Sequence, residues 1–269
     1  MQKKRMSKYI SNEIFEYINN LTESIVDNYF SITEAIKPSF IAKQYNISWS
    51  IGNYENAFDG LIECYRGKFH IYINEARHHS SNRMRFTFSH ELGHFFIDNH
   101  RNALASGEVP YHSSFTNFAS ELEVEREADL FASCLLMPRN RVLEEYRAHR
   151  TFSFKIIHDL AIKFGTSELA TLIRLFQLDV HPLIIVKAQA GEIKHIFKSG
   201  DLYYYPKHAK SRIPKDSLMF KYYNENFTPA STTQIWTGDW FDTKTEKVLF
   251  EHCLIHEGSK TCWSILWTK

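Results

Sequence analysis

Cysteine, proline and glycine are all scarce in this sequence, at 4, 7 and 10 of 269 residues. Four thiols (Cys64, Cys134, Cys253, Cys262) in a chain of this length do not make a disulfide framework, so the fold must rest on a packed core. So little glycine and proline, beside 43% hydrophobic residues, excludes collagen-like, low-complexity and disordered classes. Long apolar runs are missing too. Stretches such as Leu183-Ile184-Ile185-Val186 fall far short of the roughly 20 residues a membrane span requires. The start is basic (Lys3, Lys4, Arg5), but Ser11, Asn12 and Glu13 interrupt the place where a signal peptide would be apolar. Neither charge is in excess: 32 Lys and Arg stand against 31 Asp and Glu, leaving no global basic field for nucleic acid. These shortages predict a cytoplasmic globular protein with no membrane segment. What is abundant is aromatic residues, 21 Phe and 14 Tyr among them, which implies large packed surfaces.

Periodicity divides the chain. Ile14, Ile18, Leu21, Ile25 and Tyr29 recur at helical spacing between Ile10 and Phe30, and a short helix begins at Pro38. Leu61 to Tyr65 and Phe69 to Ile73 flank Arg66-Gly67-Lys68 and read as a β-hairpin. Two helices follow, from about Arg83 to Asp98 and from about Ser120 to Met137, with Pro138 as the stop. The stretch between them, Asn99 to Asn117, reads as a loop. The pattern stays helical to Leu178. Strand-like runs then take over at Leu183–Val186, Glu192–Phe197, Leu218–Tyr223, Val248–Ile255 and Thr261–Trp267. The predicted class is α+β, in three parts: a helical domain with a small sheet (1–138), a helix-turn-helix-like segment packed on it (139–178), and a β-rich domain (179–269).

His90-Glu91-Leu92-Gly93-His94 carries the chemistry. Positions i and i+4 share one face of a helix, so both imidazoles can converge on one ion. The Glu after the first His lies beside that face, where a general base for an attacking water belongs. Phe88, Leu92, Phe95 and Phe96 surround these polar groups with apolar side chains, and buried polar groups need partners. Catalytic zinc takes three protein ligands and keeps a position open. The donor of the third is the acidic helix Glu121-Leu-Glu-Val-Glu-Arg-Glu-Ala-Asp129. With Val124, Ala128, Phe131, Ala132 and Leu135 as its apolar face, Glu125 is the first choice and Glu121 the reserve, while Glu123 and Glu127 angle away, to be solvated or to pair with groups behind the ligands. Asp129, one turn on, is placed to accept the second N–H of a ligand His. For the donor that stabilises an oxyanion, His100, Tyr111, His112 and Arg126 are unranked candidates.

Arg83-Met-Arg-Phe-Thr-Phe-Ser-His-Glu-Leu-Gly-His94, with Glu125-Arg-Glu-Ala-Asp-Leu-Phe-Ala132 and Leu135-Leu-Met-Pro138, resembles the ImmA/IrrE family of zinc metallopeptidases. The resemblance spans roughly Lys37 to Leu178, with Asp59-Gly60 and Ile71 to Asn74 in the usual order. It implies a zincin-like fold and a single-zinc endopeptidase that cleaves a helix-turn-helix repressor when stress or DNA damage is signalled. Zinc then falls to His90, His94 and Glu125, with Glu91 as base. Asp129 stands where many members have Asn.

Leu160 to Leu175 has helix-turn-helix spacing, but its second helix offers only Ser167, Glu168, Thr171 and Arg174 where a reading helix needs base-contacting side chains. Packing on the core is the preferred reading, which makes the repressor a separate polypeptide. Relatives with C-terminal extensions often carry a GAF-like sensing domain, and the tail's length and strands are compatible with one. Trp236, Trp240, Phe241, Trp263 and Trp267 are candidates for stacking on a small-molecule or single-stranded nucleic-acid activator, against a simpler role as core. A hairpin turn centred on Glu257-Gly258 sets Cys253 opposite Cys262, a candidate redox pair. The competing functional reading is a non-proteolytic regulator that keeps a zinc site and acts by binding DNA or a partner.

Overall fold

The computed structural model describes residues 10–30, 35–77, 80–109, 111–114, 122–199, 205–206, 212–225 and 227–268. Glu121, the reserve ligand, lies outside them. Among the described residues, no helix is long and apolar enough to cross a membrane. The class is mixed α+β. By contacts the chain forms two compact units: 10–147 with His158–Arg174, and Ala148–Ile157 with 175–268.

The first unit opens with α1 (Asn12–Tyr29), which starts where Ser11 Oγ accepts from Ile14 N–H at 3.1 Å. Then come α2 (Pro38–Gln44), β1 (Ser48–Gly52), β2 (Gly60–Tyr65) and β3 (Lys68–Asn74). Arg66 and Gly67 both have positive φ, the twist a two-residue hairpin turn demands. α3 (Ser81–Phe96) is capped by Ser80, whose Oγ accepts from Arg83 N–H at 3.2 Å. The stretch expected to be a loop instead holds a helix, α4 (Asp98–Ser106), and a strand, β4 (Tyr111–Ser114). α5 (Glu123–Leu136) and α6 (Arg139–Arg147) follow. The sheet order is β1-β3-β2-β4, with β1 parallel to β3 and the other pairs antiparallel.

Period-two alternation turns Ile62, Ile71 and Ile73 to one face of this sheet, where they join Ile18 and Ile25 of α1, Phe88 and Leu92 of α3 and Phe131 and Leu135 of α5 in one core. α3 and α5 cross at Gly93. A Cβ there would stand 3.1 Å from Ala128 Cα and 3.2 Å from Phe131 Cβ, so the glycine inside the pentad lets the two backbones approach. Val124, expected on the apolar face of α5, is half open to solvent.

The division between the units falls within α7 (Phe154–Phe164) and α8 (Glu168–Gln177). Arg174 is fully buried: its Nε donates to Met137 O at 3.0 Å and its Nη2 to Asn19 Oδ1 at 2.7 Å. The one basic side chain that α8 had to offer a nucleic acid is therefore occupied in the core.

The second unit is built on a five-stranded antiparallel sheet of β5 (Ile184–Gln189), β6 (Glu192–Lys198), β8 (Thr233–Trp236), β10 (Val248–His256) and β11 (Thr261–Trp267). Its order is β6-β5-β11-β10-β8, which counts 2-1-5-4-3 along the chain. A two-residue ladder joins β7 (Tyr205–Pro206) to β9 (Phe241–Asp242). Two short helices, α9 (Leu218–Asn224) and α10 (Thr237–Trp240), complete it. Leu218–Tyr223, read as a strand, is thus helical. Ser217 caps it through Phe220 N–H at 3.1 Å, and the buried Glu251 carboxylate accepts from Leu218 N–H at 2.9 Å and Met219 N–H at 3.4 Å. Of the five candidate aromatics, Trp240, Phe241 and Trp267 are buried, Trp263 is half-buried and Trp236 is exposed.

The register of β10 and β11 differs from the expected one. Glu257–Ser259 form a 3-10 turn closed by Lys260 with positive φ, so Cys253 faces Ser264 and Cys262 faces Ile255. All four cysteines are free. The longer turn shifts the pairing by two residues and puts the two thiols diagonal to each other.

Candidate metal centre

α3 contributes His90 and His94 one turn apart, both buried, with their Nε2 atoms 3.1 Å from each other. The close crossing at Gly93 brings α5 over them. Glu125 then stands with Oε2 3.5 Å from His90 Nε2 and Oε1 3.3 Å from His94 Nε2. One ligand atom from each of the three lies within 4.8 Å of the others. Asp129, the next turn of α5, places Oδ1 2.9 Å from His90 Nδ1.

Glu91 is fully buried beside this group. Its Oε1 accepts from the Ser114 hydroxyl of β4, and its Oε2 has no hydrogen-bond partner among the described residues. Room for it comes from Gly60: a Cβ there would stand 2.6 Å from Thr87 Cγ2 and closer still to Glu91 Oε1. The preceding residue, Asp59, is fixed by Arg77 Nε at 2.9 Å and Arg83 Nη2 at 3.4 Å, which anchors the start of β2 against α3.

Of the candidates left unranked for the oxyanion, His112 reaches the ligand carboxylate. Its Nε2 contacts Glu125 Oε1 and its ring centroid is 4.3 Å from that of His94. Tyr111 points to the other face of β4 and is 59% exposed. His100 lies behind His94, with Nδ1 3.2 Å from His94 Nδ1 and Nε2 3.1 Å from Glu127 Oε2. Of the two roles expected for Glu127, solvation or a pairing behind the ligands, the structure shows the second.

The electrostatics favour a cation. Burial pulls the His90 pKa down, but its hydrogen bonds to Asp129 and Glu125 outweigh it and raise the group to about 10. Burial opposes the Glu125 charge, yet His112, His90 and His94 hold its carboxyl far below the usual range. Burial drives His94 the other way, to about 3, and raises Glu91 to about 7. With His90 charged, its Nε2–H lies 3.1 Å from the His94 Nε2 lone pair and faces Glu125, so a proton holds the position that a metal cation would take. The donor set of two nitrogens and one carboxylate is the one catalytic zinc takes, and the unpartnered Glu91 Oε2 beside it is the group such a site uses. The residues fit a zinc ion.

Comparison with known proteins agrees with this geometry. The Peptidase_M78 family, described as an IrrE N-terminal-like domain, matches residues 56–176. No curated protein matches the sequence. Among solved structures, a Mycobacterium tuberculosis transcriptional regulator is similar with a TM-score of 0.58, over 97% of this chain and 77% of that one. At 11% identity this is a likeness of fold.

Proposed function

From the membership of residues 56–176 in the IrrE N-terminal-like family of metallopeptidases, we propose that this chain is a cytoplasmic zinc-dependent endopeptidase. Its substrate is a helix-turn-helix transcriptional repressor, cut when a stress such as DNA damage is signalled. The observation that carries the reading is Glu91, a buried carboxylate with one oxygen anchored and the other free beside three convergent ligand atoms. A purely structural metal site has no use for that group.

His90, His94 and Glu125 hold the ion, and Asp129 orients His90 by accepting its Nδ1–H. What zinc supplies when bound is polarisation of the scissile carbonyl and activation of water near neutral pH. Ser114 ties down Glu91 Oε1, so Oε2 is the atom that takes the proton of the attacking water and returns it to the leaving amine. His112, on an edge strand and partly open to solvent, would offer the oxyanion the Nε2–H that here contacts Glu125, once that carboxylate turns to the ion. In the domain division we favour, 1–138 is the peptidase, 139–178 packs on it, and 179–269 is the regulatory module, of GAF-like type. Trp236 and Trp263 are the side chains there on which a small-molecule or single-stranded nucleic-acid activator would stack.

The second reading, a regulator that binds DNA without cleaving anything, draws support from the fold likeness to a protein described as a transcriptional regulator. The burial of Arg174 removes the residue with which α8 would read bases. Co-expression with a small helix-turn-helix repressor, with and without DNA damage, separates the two. The expected result is repressor fragments under damage, absent with a metal-site variant and with His112→Ala much reduced. An intact repressor that is merely released from DNA would support the second reading.

A further inference from the structure

We propose that Glu127 and His100 form a relay that fixes the ring of His94 for metal binding, a carboxylate holding an imidazole that holds the ligand imidazole. The inference rests on the metal-centre reading above and adds two positioning residues to it. His94 Nε2 faces His90 Nε2 and Glu125, while its Nδ1 lies 3.2 Å from His100 Nδ1. A ligand nitrogen must present a lone pair, so a neutral His94 carries its proton on Nδ1. That N–H donates to His100 Nδ1, which must accept. His100 then carries its own proton on Nε2 and donates it to Glu127 Oε2 at 3.1 Å. The opposite tautomer of His100 would set N–H against N–H and turn a lone pair toward the carboxylate. One assignment satisfies all three groups.

The fold builds this relay locally. α3 ends at Ile97 in extended backbone, and α4 starts at once, so His100 in its first turn comes back beside His94. His100 is buried and the Glu127 side chain is 13% exposed, so the relay runs from the ligand toward the surface of α5. His90 is held differently, by Asp129 directly at 2.9 Å. Outer partners of ligand histidines fix ring orientation and raise ligand basicity, and their loss typically costs roughly 10–100-fold in metal affinity.

The test is zinc affinity of the full chain, measured by competition with a chromophoric chelator, with thermal melts to verify folding. His100→Leu is expected to weaken zinc about 10–100-fold. His100→Asn keeps an acceptor near the position of Nδ1 and is expected to recover most of that loss. Glu127→Gln weakens zinc, whereas Glu123→Gln, at an exposed position of the same helix, does not. A second readout is the 15N spectrum of the metal-free protein: His94 shows the Nδ1–H tautomer in the wild type and loses that preference in His100→Leu. Wild-type affinity in His100→Leu, or an Asn variant as weak as the Leu one, overturns the relay and leaves the metal centre standing. A wild-type chain that takes up no zinc overturns both.

Discussion

Glu91→Gln is expected to bind zinc as the wild type does and to lose about 10²–10⁴ in turnover, the usual contribution of a positioned general base. The separation of the two effects follows from the geometry. Glu91 is not among the three convergent ligand atoms, and its Oε1 anchor on Ser114 is available to a glutamine as well. What the amide cannot do is take a proton at the second position. Metal analysis and kcat on the cleaved repressor, measured on the same preparation, check this. Unchanged cleavage would remove Glu91 from the mechanism and, with it, the reason for calling the site catalytic.

Gly60→Ala should injure the same carboxylate from the other side. The new methyl group has nowhere to go: it meets Thr87 Cγ2 at 2.6 Å and Glu91 Oε1 at a shorter distance. Because Asp59 is locked to Arg77 and Arg83, β2 cannot simply retreat, so Glu91 must move. A displacement of about 1 Å at a reacting group costs on the order of 10²-fold in rate. Zinc content should stay near that of the wild type. The double variant Gly60→Ala/Glu91→Gln is expected to be no slower than Glu91→Gln alone, since both act through one group. Additive losses would mean that Gly60 acts through something other than Glu91.

The sequence made one part of this site legible and hid another. His90, Glu91 and His94 stand within five residues of one helix, where spacing alone decides what shares a face. Glu125 could be picked from four glutamates because the apolar residues of α5 set its rotation. His100 and His112 left no such trace. Both fall in the stretch read as a loop: α4 buries only His100 and Leu104, too few for a helical stripe, and β4 has four residues and pairs only with β2. That Glu127 pairs behind the ligands was open from the sequence, but its partner had no signal, for the same reason. The misread helix α9 has another origin. Leu218-Met-Phe-Lys-Tyr-Tyr is rich in aromatics and suits a strand, but Glu251, 33 residues downstream, accepts from its first N–H groups and tips the balance. The hairpin register depended on a turn whose length the residues alone did not fix.

Direct metal analysis of the purified chain bears most immediately on all of this. The account requires one zinc per chain in the wild type, lost on dialysis against chelator, regained on adding zinc, and absent from His90→Ala/His94→Ala/Glu125→Ala. A wild-type protein that holds no metal and accepts none, or a triple variant that still binds zinc at full stoichiometry, would contradict it.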